Sequence, residues 1–234
     1  MENINLEKLK ELGKLDDSFE LYRASDVRDL EDLCKKVKDG QITVPIFEQK
    51  PKWTVQEAIN TFNYLLTNDF FTLPFAFDVI TNEPKVKQLS FPDYKPIDSN
   101  YKYNNTFSII AGSKILDMYY KAYIGDDIFK NVVFDLSIGK IRFYQHYSPE
   151  FNKVFSINFI LTAKPKDYYQ EYCKLFGVED TDDIDDDEDE FFDMRHYLYR
   201  FRDCFFPNCF ASVATDLSKK EQLRWRRQLH LALR

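Results

Sequence analysis

The longest strand-like pattern in this sequence runs from about residue 106 to residue 162. Apolar and polar residues alternate there, and alternation predicts strands with one buried face because successive side chains of a strand point to opposite faces. The residues expected to face inwards are Phe107, Ile109, Ala111, Leu116, Met118, Tyr120, Ala122, Ile124, Val132, Phe134, Leu136, Ile141, Phe143, Gln145, Tyr147, Phe155, Ile157, Phe159 and Leu161. The connections between these runs are short and permit only antiparallel neighbours. The stretch therefore predicts an antiparallel meander of four or five strands.

One part of the meander also fits a helix. Residues 114–123 have this second interpretation, and the strand is preferred because Gly112-Ser113 suits a two-residue hairpin turn in which Gly takes a positive φ. The outward face of the meander is polar and rich in tyrosine: Tyr119, Tyr123, Arg142, Tyr144, His146 and Asn158. A solvated or helix-covered face is the simpler interpretation, and a partner-binding platform is the alternative.

Helix signals lie on both sides of the meander. Thr54-Val55-Gln56-Glu57 and Ser218-Lys219-Lys220-Glu221 are capping boxes, in which two side chains satisfy backbone groups at a helix start. Further helices are predicted at 4–12, from Ser25 to Gly40, from Asp167 to Gly177 and at 190–206, and strands at 18–23 and 42–47. Pro45 cannot donate to a ladder and places the strand at 42–47 at a sheet edge. The predicted class is α+β, with N-terminal and C-terminal helices packed on the meander.

Length and composition limit the class of protein further. A chain of 234 residues with 44% hydrophobic content suits one α+β domain over 1–234, with a candidate internal boundary in the proline-rich loop 81–105. The sequence has no apolar run of membrane-spanning length and no signal-peptide pattern at its start, so we expect no membrane partner and a cytoplasmic location. Its six glycines do not cluster, which argues against a phosphate-cradling loop.

The most unusual feature is an acidic segment. Residues 179–193 contain eleven Asp and Glu and no Lys or Arg, and without them the net charge of the chain changes from −7 to +4. A solvated, mobile loop over 179–190 is the simpler interpretation. The functional interpretation is a non-enzymatic binding protein of the immunity, antitoxin or inhibitor kind that recognises a basic protein partner. Its predicted partner-binding residues are Asp182, Asp183, Asp185, Asp186, Asp187, Glu188, Asp189 and Glu190.

A second hypothesis concerns the basic C-terminal helix. Its cationic residues are Lys219, Lys220, Arg224, Arg226, Arg227 and Arg234. They could hold nucleic acid through its phosphates, with the acidic segment masking them. The alternative is that they face water or are neutralised within the chain.

The third hypothesis is an enzyme. Glu48-Gln49-Lys50 ends a predicted strand and resembles the E-x-K half of the PD-(D/E)xK nuclease signature. That resemblance implies carboxylates that hold a metal ion and a lysine that steadies the attacking water. Glu20 is the nearest acidic candidate for the missing first carboxylate. Cys204 and Cys209 form a single C-x₄-C pair, too few ligands for a structural zinc. The sequence assigns no catalytic residue, metal ligand or cofactor.

Overall fold

The computed structural model describes residues 30–67, 73–146, 153–163, 165–177 and 209–232. Helices and strands are mixed along these residues, which confirms the α+β class. The elements are α1 Leu30–Lys38, β1 Ile42–Pro45, α2 Val55–Thr67, β2 Leu73–Ile80, β3 Gln88–Ser90, β4 Thr106–Ala111, α3 Ser113–Tyr123, a 3₁₀ turn Asp127–Phe129, β5 Val132–Asp135, β6 Lys140–Phe143, β7 Val154–Ser156, α4 Ile157–Thr162, α5 Pro165–Phe176, β8 Cys209–Thr215 and α6 Lys219–Ala232.

The chain divides into two compact units. The first comprises residues 1–52, 72–117 and 208–234, and the second comprises residues 53–71 and 118–207. The candidate boundary loop 81–105 lies inside the first unit, and the single-domain interpretation stays a prediction. The helices predicted at 4–12 and 190–206 and the strand predicted at 18–23 lie outside the described residues. In the part of the chain that is described, no helix is both long and apolar enough to cross a bilayer.

The first unit contains a five-stranded mixed sheet in the order β3-β1-β4-β2-β8. The pairs β1–β4 and β2–β8 are parallel, and β1–β3 and β2–β4 are antiparallel. The predicted edge position of β1 is therefore wrong. Pro45 is the last residue of the strand, and the next residue, Ile46, donates its amide to the carbonyl of Lys87 at 2.8 Å. A proline at the end of a strand removes no bond from the middle of the ladder, so β1 tolerates it inside the sheet.

Strand β2 forms in a segment whose apolar residues do not alternate with polar ones. It lies between β4 and β8, and Phe75, Ala76 and Phe77 are consecutive buried residues. An interior strand that is buried on both faces shows a continuous apolar run instead of alternation. The absence of a period-two pattern is therefore a consequence of the position of β2 in the sheet.

Helix α1 ends as the sequence predicts. Gly40 has φ 69°, its amide donates to the carbonyl of Val37 at 3.1 Å, and the amide of Gln41 donates to the carbonyl of Lys36 at 2.9 Å. These two bonds form a Schellman motif, which requires a left-handed residue that glycine adopts without steric cost. The apolar residues Leu30, Leu33 and Val37 of this helix are buried.

The second unit contains a three-stranded antiparallel sheet in the order β6-β5-β7. Helix α2 begins at the predicted capping box: the Thr54 amide donates to Glu57 Oε2 at 2.8 Å, and the Glu57 amide donates to Thr54 Oγ1 at 3.2 Å. Asn63 then connects this helix to the sheet, because its Nδ2 donates to the carbonyl of Ile141 and its Oδ1 accepts from the amide of Ile141, both at 2.8 Å. The side-chain amide thus occupies the place of a neighbouring strand at the edge of β6.

The predicted meander is confirmed only in part. Strand β4 pairs with β1 and β2 instead of with the segment that follows it, while β5 and β6 form the predicted hairpin. The segment 113–123 is a helix, and Gly112 starts it by accepting the amide of Leu116 at 3.1 Å instead of forming a hairpin turn. The last predicted strand is β7 followed by α4, where the Ser156 side chain accepts from the amide of Phe159 at 3.1 Å. A cap therefore outweighs alternation in that segment.

Candidate functional site

The eight acidic residues predicted to bind a partner all lie outside the described residues: Asp182, Asp183, Asp185, Asp186, Asp187, Glu188, Asp189 and Glu190. Their role stays a prediction. The described residues include the E-x-K triplet and the basic C-terminal helix apart from Arg234, which lies outside them. The first unit brings parts of these two features together.

Helix α6 begins at the second predicted capping box, which is confirmed. The Ser218 amide donates to Glu221 Oε2 at 2.7 Å, and the Ser218 hydroxyl donates to the same oxygen at 2.5 Å. These hydrogen bonds, together with the positive charge of Lys85, hold the pKa of Glu221 below its ordinary value. The cap fixes where α6 starts and therefore which residues share each of its faces.

A buried carboxylate from β2 anchors the same end of α6. Both oxygens of Asp78 accept the amide of Leu217 at 3.1 Å, and Oδ2 also accepts from Gln222 Nε2 at 2.9 Å. Burial raises the pKa of Asp78, and the two hydrogen-bond donors act in the opposite direction. Asp78 is 2% exposed, so the carboxylate joins strand to helix and does not face solvent.

Arg226 anchors the next turn of α6 to the sheet. Its Nε donates to the carbonyl of Ile110 at 2.7 Å, and its Nη2 forms a short ion pair with Glu48 Oε2. The other carboxylate oxygen of Glu48 accepts from the Ser113 hydroxyl at 3.4 Å. Both oxygens of the carboxylate in the E-x-K triplet are thus engaged by protein groups.

The described residues supply no second metal-binding carboxylate of the kind that the nuclease resemblance implies. Glu20, the candidate for the missing carboxylate, lies outside them. Among the residues that are described, no group of three His, Cys, Asp or Glu side chains could hold a metal ion. Cys34 and Cys173 are buried, while Cys204 also lies outside the described residues. The ion pair with Arg226 gives Glu48 a structural role.

The outer face of α6 is cationic. Lys220, Arg224 and Arg227 are exposed and are spaced i, i+4 and i+7, which places them along one face of a helix. Lys219 is also exposed, and its ammonium group lies 5.2 Å from the centre of the Phe47 ring. Lys219 is spaced i, i+3 and i+7 with Gln222 and Arg226 and therefore shares their side of the helix. We call Lys220, Arg224 and Arg227 the cationic face of α6. The anchoring residues Gln222 and Arg226 lie on the opposite side of the helix.

A tyrosine packs beside the Glu48 ion pair. Burial raises the pKa of Tyr94 well above its ordinary value, and the neighbouring Ser113 hydroxyl acts in the opposite direction. No hydrogen bond of good geometry reaches the Tyr94 hydroxyl from the described residues, although Ser113 lies close enough to influence its pKa. The phenol is therefore neutral at physiological pH.

In the second unit, Asp135 organises the β5–β6 hairpin. Its Oδ1 accepts from the amide and the hydroxyl of Ser137 at 3.0 and 2.5 Å, and its Oδ2 accepts from the Tyr144 hydroxyl at 2.6 Å. Burial acts to raise the pKa of Asp135, but these hydrogen bonds and the charge of Arg142 outweigh it and lower the pKa.

The predicted tyrosine-rich polar face is wrong at Tyr119, because this residue is 1% exposed.

Sequence reasoning missed Asp78 and Gln222. The signal for Asp78 was an acidic residue inside the apolar run Leu73–Ile80, because a carboxylate within a buried strand needs donors from elsewhere in the fold.

No protein-family model matches this sequence, and no curated protein is significantly similar to it.

Proposed function

We propose that this protein is a non-enzymatic binding protein of the immunity, antitoxin or inhibitor kind, acting in the cytoplasm. It recognises a basic protein partner through the eight carboxylates between residues 182 and 190. The observation that carries the proposal is the concentration of eleven acidic residues and no basic residue within 179–193. Such a segment accelerates encounter with a positively charged partner and disfavours acidic ones.

Three of the described carboxylates have partners within the fold. Asp78 and Asp135 have perturbed pKa values, and Glu48 forms an ion pair with Arg226. Perturbed acids mark candidate catalytic sites when they line a cleft. In this protein each of the three has partners within the fold and a structural explanation.

The proposal is tested with two matched triple variants of the full chain. The first replaces Asp185, Asp186 and Asp187 with Asn. The control, D39N/E83Q/D127N, removes the same number of charges from exposed positions elsewhere. Each immobilised variant captures partners at low ionic strength, and the captured proteins are identified and titrated with salt.

We expect a captured protein of high isoelectric point whose binding weakens about tenfold in the first variant, since exposed charge pairs contribute about 0.5 kcal/mol each. The control should retain the partner, because its substitutions leave the acidic segment intact. If deletion of residues 179–190 leaves every captured protein bound at low salt, the acidic segment has no part in recognition.

A further inference from the structure

We propose that the cationic face of α6 (Lys220, Arg224 and Arg227) binds the phosphate backbone of a nucleic acid, independently of base sequence. This surface lies in the first unit and shares no residue with the acidic segment. The inference therefore stands or falls separately from the proposed function.

The orientation of α6 is fixed by contacts on its inner side. Gln222 bonds to the buried Asp78, and Arg226 bonds to Glu48 and to the Ile110 carbonyl. An arginine with donors in two directions resists rotation of the helix about its axis, because rotation breaks both bonds. The opposite side of α6 is consequently held towards solvent, and the cationic residues are presented together.

The spacing of the cations suits a phosphate backbone. With a rise of about 1.5 Å per residue, Arg224 lies about 6 Å and Arg227 about 10 Å along the axis from Lys220. One strand of a duplex presents a phosphate about every 3.4 Å of its axis, so about three phosphates fall within this length. Two of the three residues are arginines, whose planar fork can donate two hydrogen bonds to one phosphate.

The remaining exposed residues of α6 favour nucleic acid over a lipid surface. Glu221 is the single carboxylate among its described exposed side chains, and the Ser218 cap holds it at the start of the helix. Leu223, which is 36% exposed, is the single apolar side chain in that group. The described side chains of α6 thus expose no broad apolar face of the kind that a helix in a membrane interface needs.

The test is fluorescence anisotropy of the full chain with a labelled DNA duplex of random sequence, from low to moderate KCl concentration. The variant K220Q/R224Q/R227Q removes all three cations of the face. The control K38Q/K102Q/K140Q removes three exposed lysines elsewhere. Anionic phosphatidylserine vesicles form a second arm that distinguishes lipid phosphate from nucleic-acid phosphate.

We expect the wild-type protein to bind duplex DNA with an affinity that falls as salt rises. The first variant should reduce the log–log salt slope by about 2.7, which is about 0.9 for each lost phosphate contact. The control should keep the slope of the wild type. Circular dichroism should show unchanged folding, and if the triple variant fails to fold, K220Q and R227Q alone should each reduce the slope by about 0.9.

Three results would overturn the proposal. The first is the absence of DNA binding at low ionic strength. The second is an equal loss of slope in both triple variants, which would mean that overall charge and not the cationic face governs binding. The third is binding to the vesicles without binding to DNA.

Discussion

The contact between Asn63 and the edge strand β6 makes a pH-dependent prediction for the variant N63D. The introduced carboxylate still accepts from the Ile141 amide, but it has no donor for the Ile141 carbonyl. Its second oxygen therefore faces the carbonyl oxygen of Ile141. One lost hydrogen bond and one unsatisfied carbonyl cost about 2 kcal/mol of unfolding free energy at neutral pH. A protonated carboxyl group can donate again, so acid should restore most of the stability.

The linkage between the pKa and the stability gives the sign and the pH range. The folded state of the variant prefers the neutral form of the introduced carboxyl group, so its folded pKa is raised above the unfolded value of about 3.9. A cost of about 2 kcal/mol corresponds to a shift of about 1.5 pH units, which puts the folded pKa at about 5.4. The destabilisation should therefore be complete above about pH 6 and should disappear as the pH falls below about 4.

The matched control is N60D on the same helix. Asn60 is exposed and accepts from Gln56 Nε2 at 2.9 Å, a role that a carboxylate keeps. Urea unfolding followed by circular dichroism between pH 4 and pH 8 gives the stability, and hydrogen exchange of the Ile141 amide reports on the contact directly. Equal destabilisation of N63D and N60D at neutral pH would refute the reasoning, as would an N63D defect that persists in full at pH 4.

Four further predictions concern the first unit, each measured by urea unfolding. D78A should lose about 2–4 kcal/mol because two donors lose their acceptor, whereas D78N should lose less than about 1 kcal/mol because the Gln222 amide can turn to exchange donor for acceptor. Since burial raises the pKa of Asp78, the wild type should gain stability relative to D78N as the pH falls through that pKa towards the unfolded value, and a flat difference would contradict this. Glu48 and Arg226 should show a coupling of about 1–3 kcal/mol in a double-mutant cycle of their Ala variants, and additive losses would deny the ion pair. G40A should lose about 1 kcal/mol because its φ of 69° is strained for alanine, and an unchanged midpoint would show that the turn relaxes.

Capping boxes predicted helix starts correctly in this sequence, whereas a hydrophobic pattern that fits both strand and helix did not predict the secondary structure. Both capping boxes start helices, at Thr54 and at Ser218, because the two side chains that form the cap are three residues apart in the chain. The segment 113–123 satisfied alternation, yet its buried residues include Leu116, Asp117, Met118 and Tyr119 in succession, which a strand with one buried face does not show. A run that fits both periods is decided by what it packs against, and the sequence does not contain that information.

Strand order depends on contacts between distant residues, which no local pattern specifies. Gln88 is buried, and its Oε1 accepts from the hydroxyls of Thr43 at 3.1 Å and of Ser108 at 2.8 Å. The three residues lie on β3, β1 and β4, so one amide joins three strands of the sheet. Gln88 belongs to a segment that its prolines and polar residues marked as loop. Its role is set by burial, which makes each unpaired polar atom costly.

The two proposals assign opposite charges to two separate ligands, and one set of variants distinguishes them. Substituting Asp185, Asp186 and Asp187 with Asn should weaken binding of a basic protein and leave DNA bound. Substituting Lys220 and Arg227 with Gln should weaken binding of DNA and leave the basic protein bound. Crossed effects of this kind require two distinct surfaces. If both sets of substitutions change binding of a ligand only in proportion to net charge, neither surface is specific, and the charge pattern serves solubility alone.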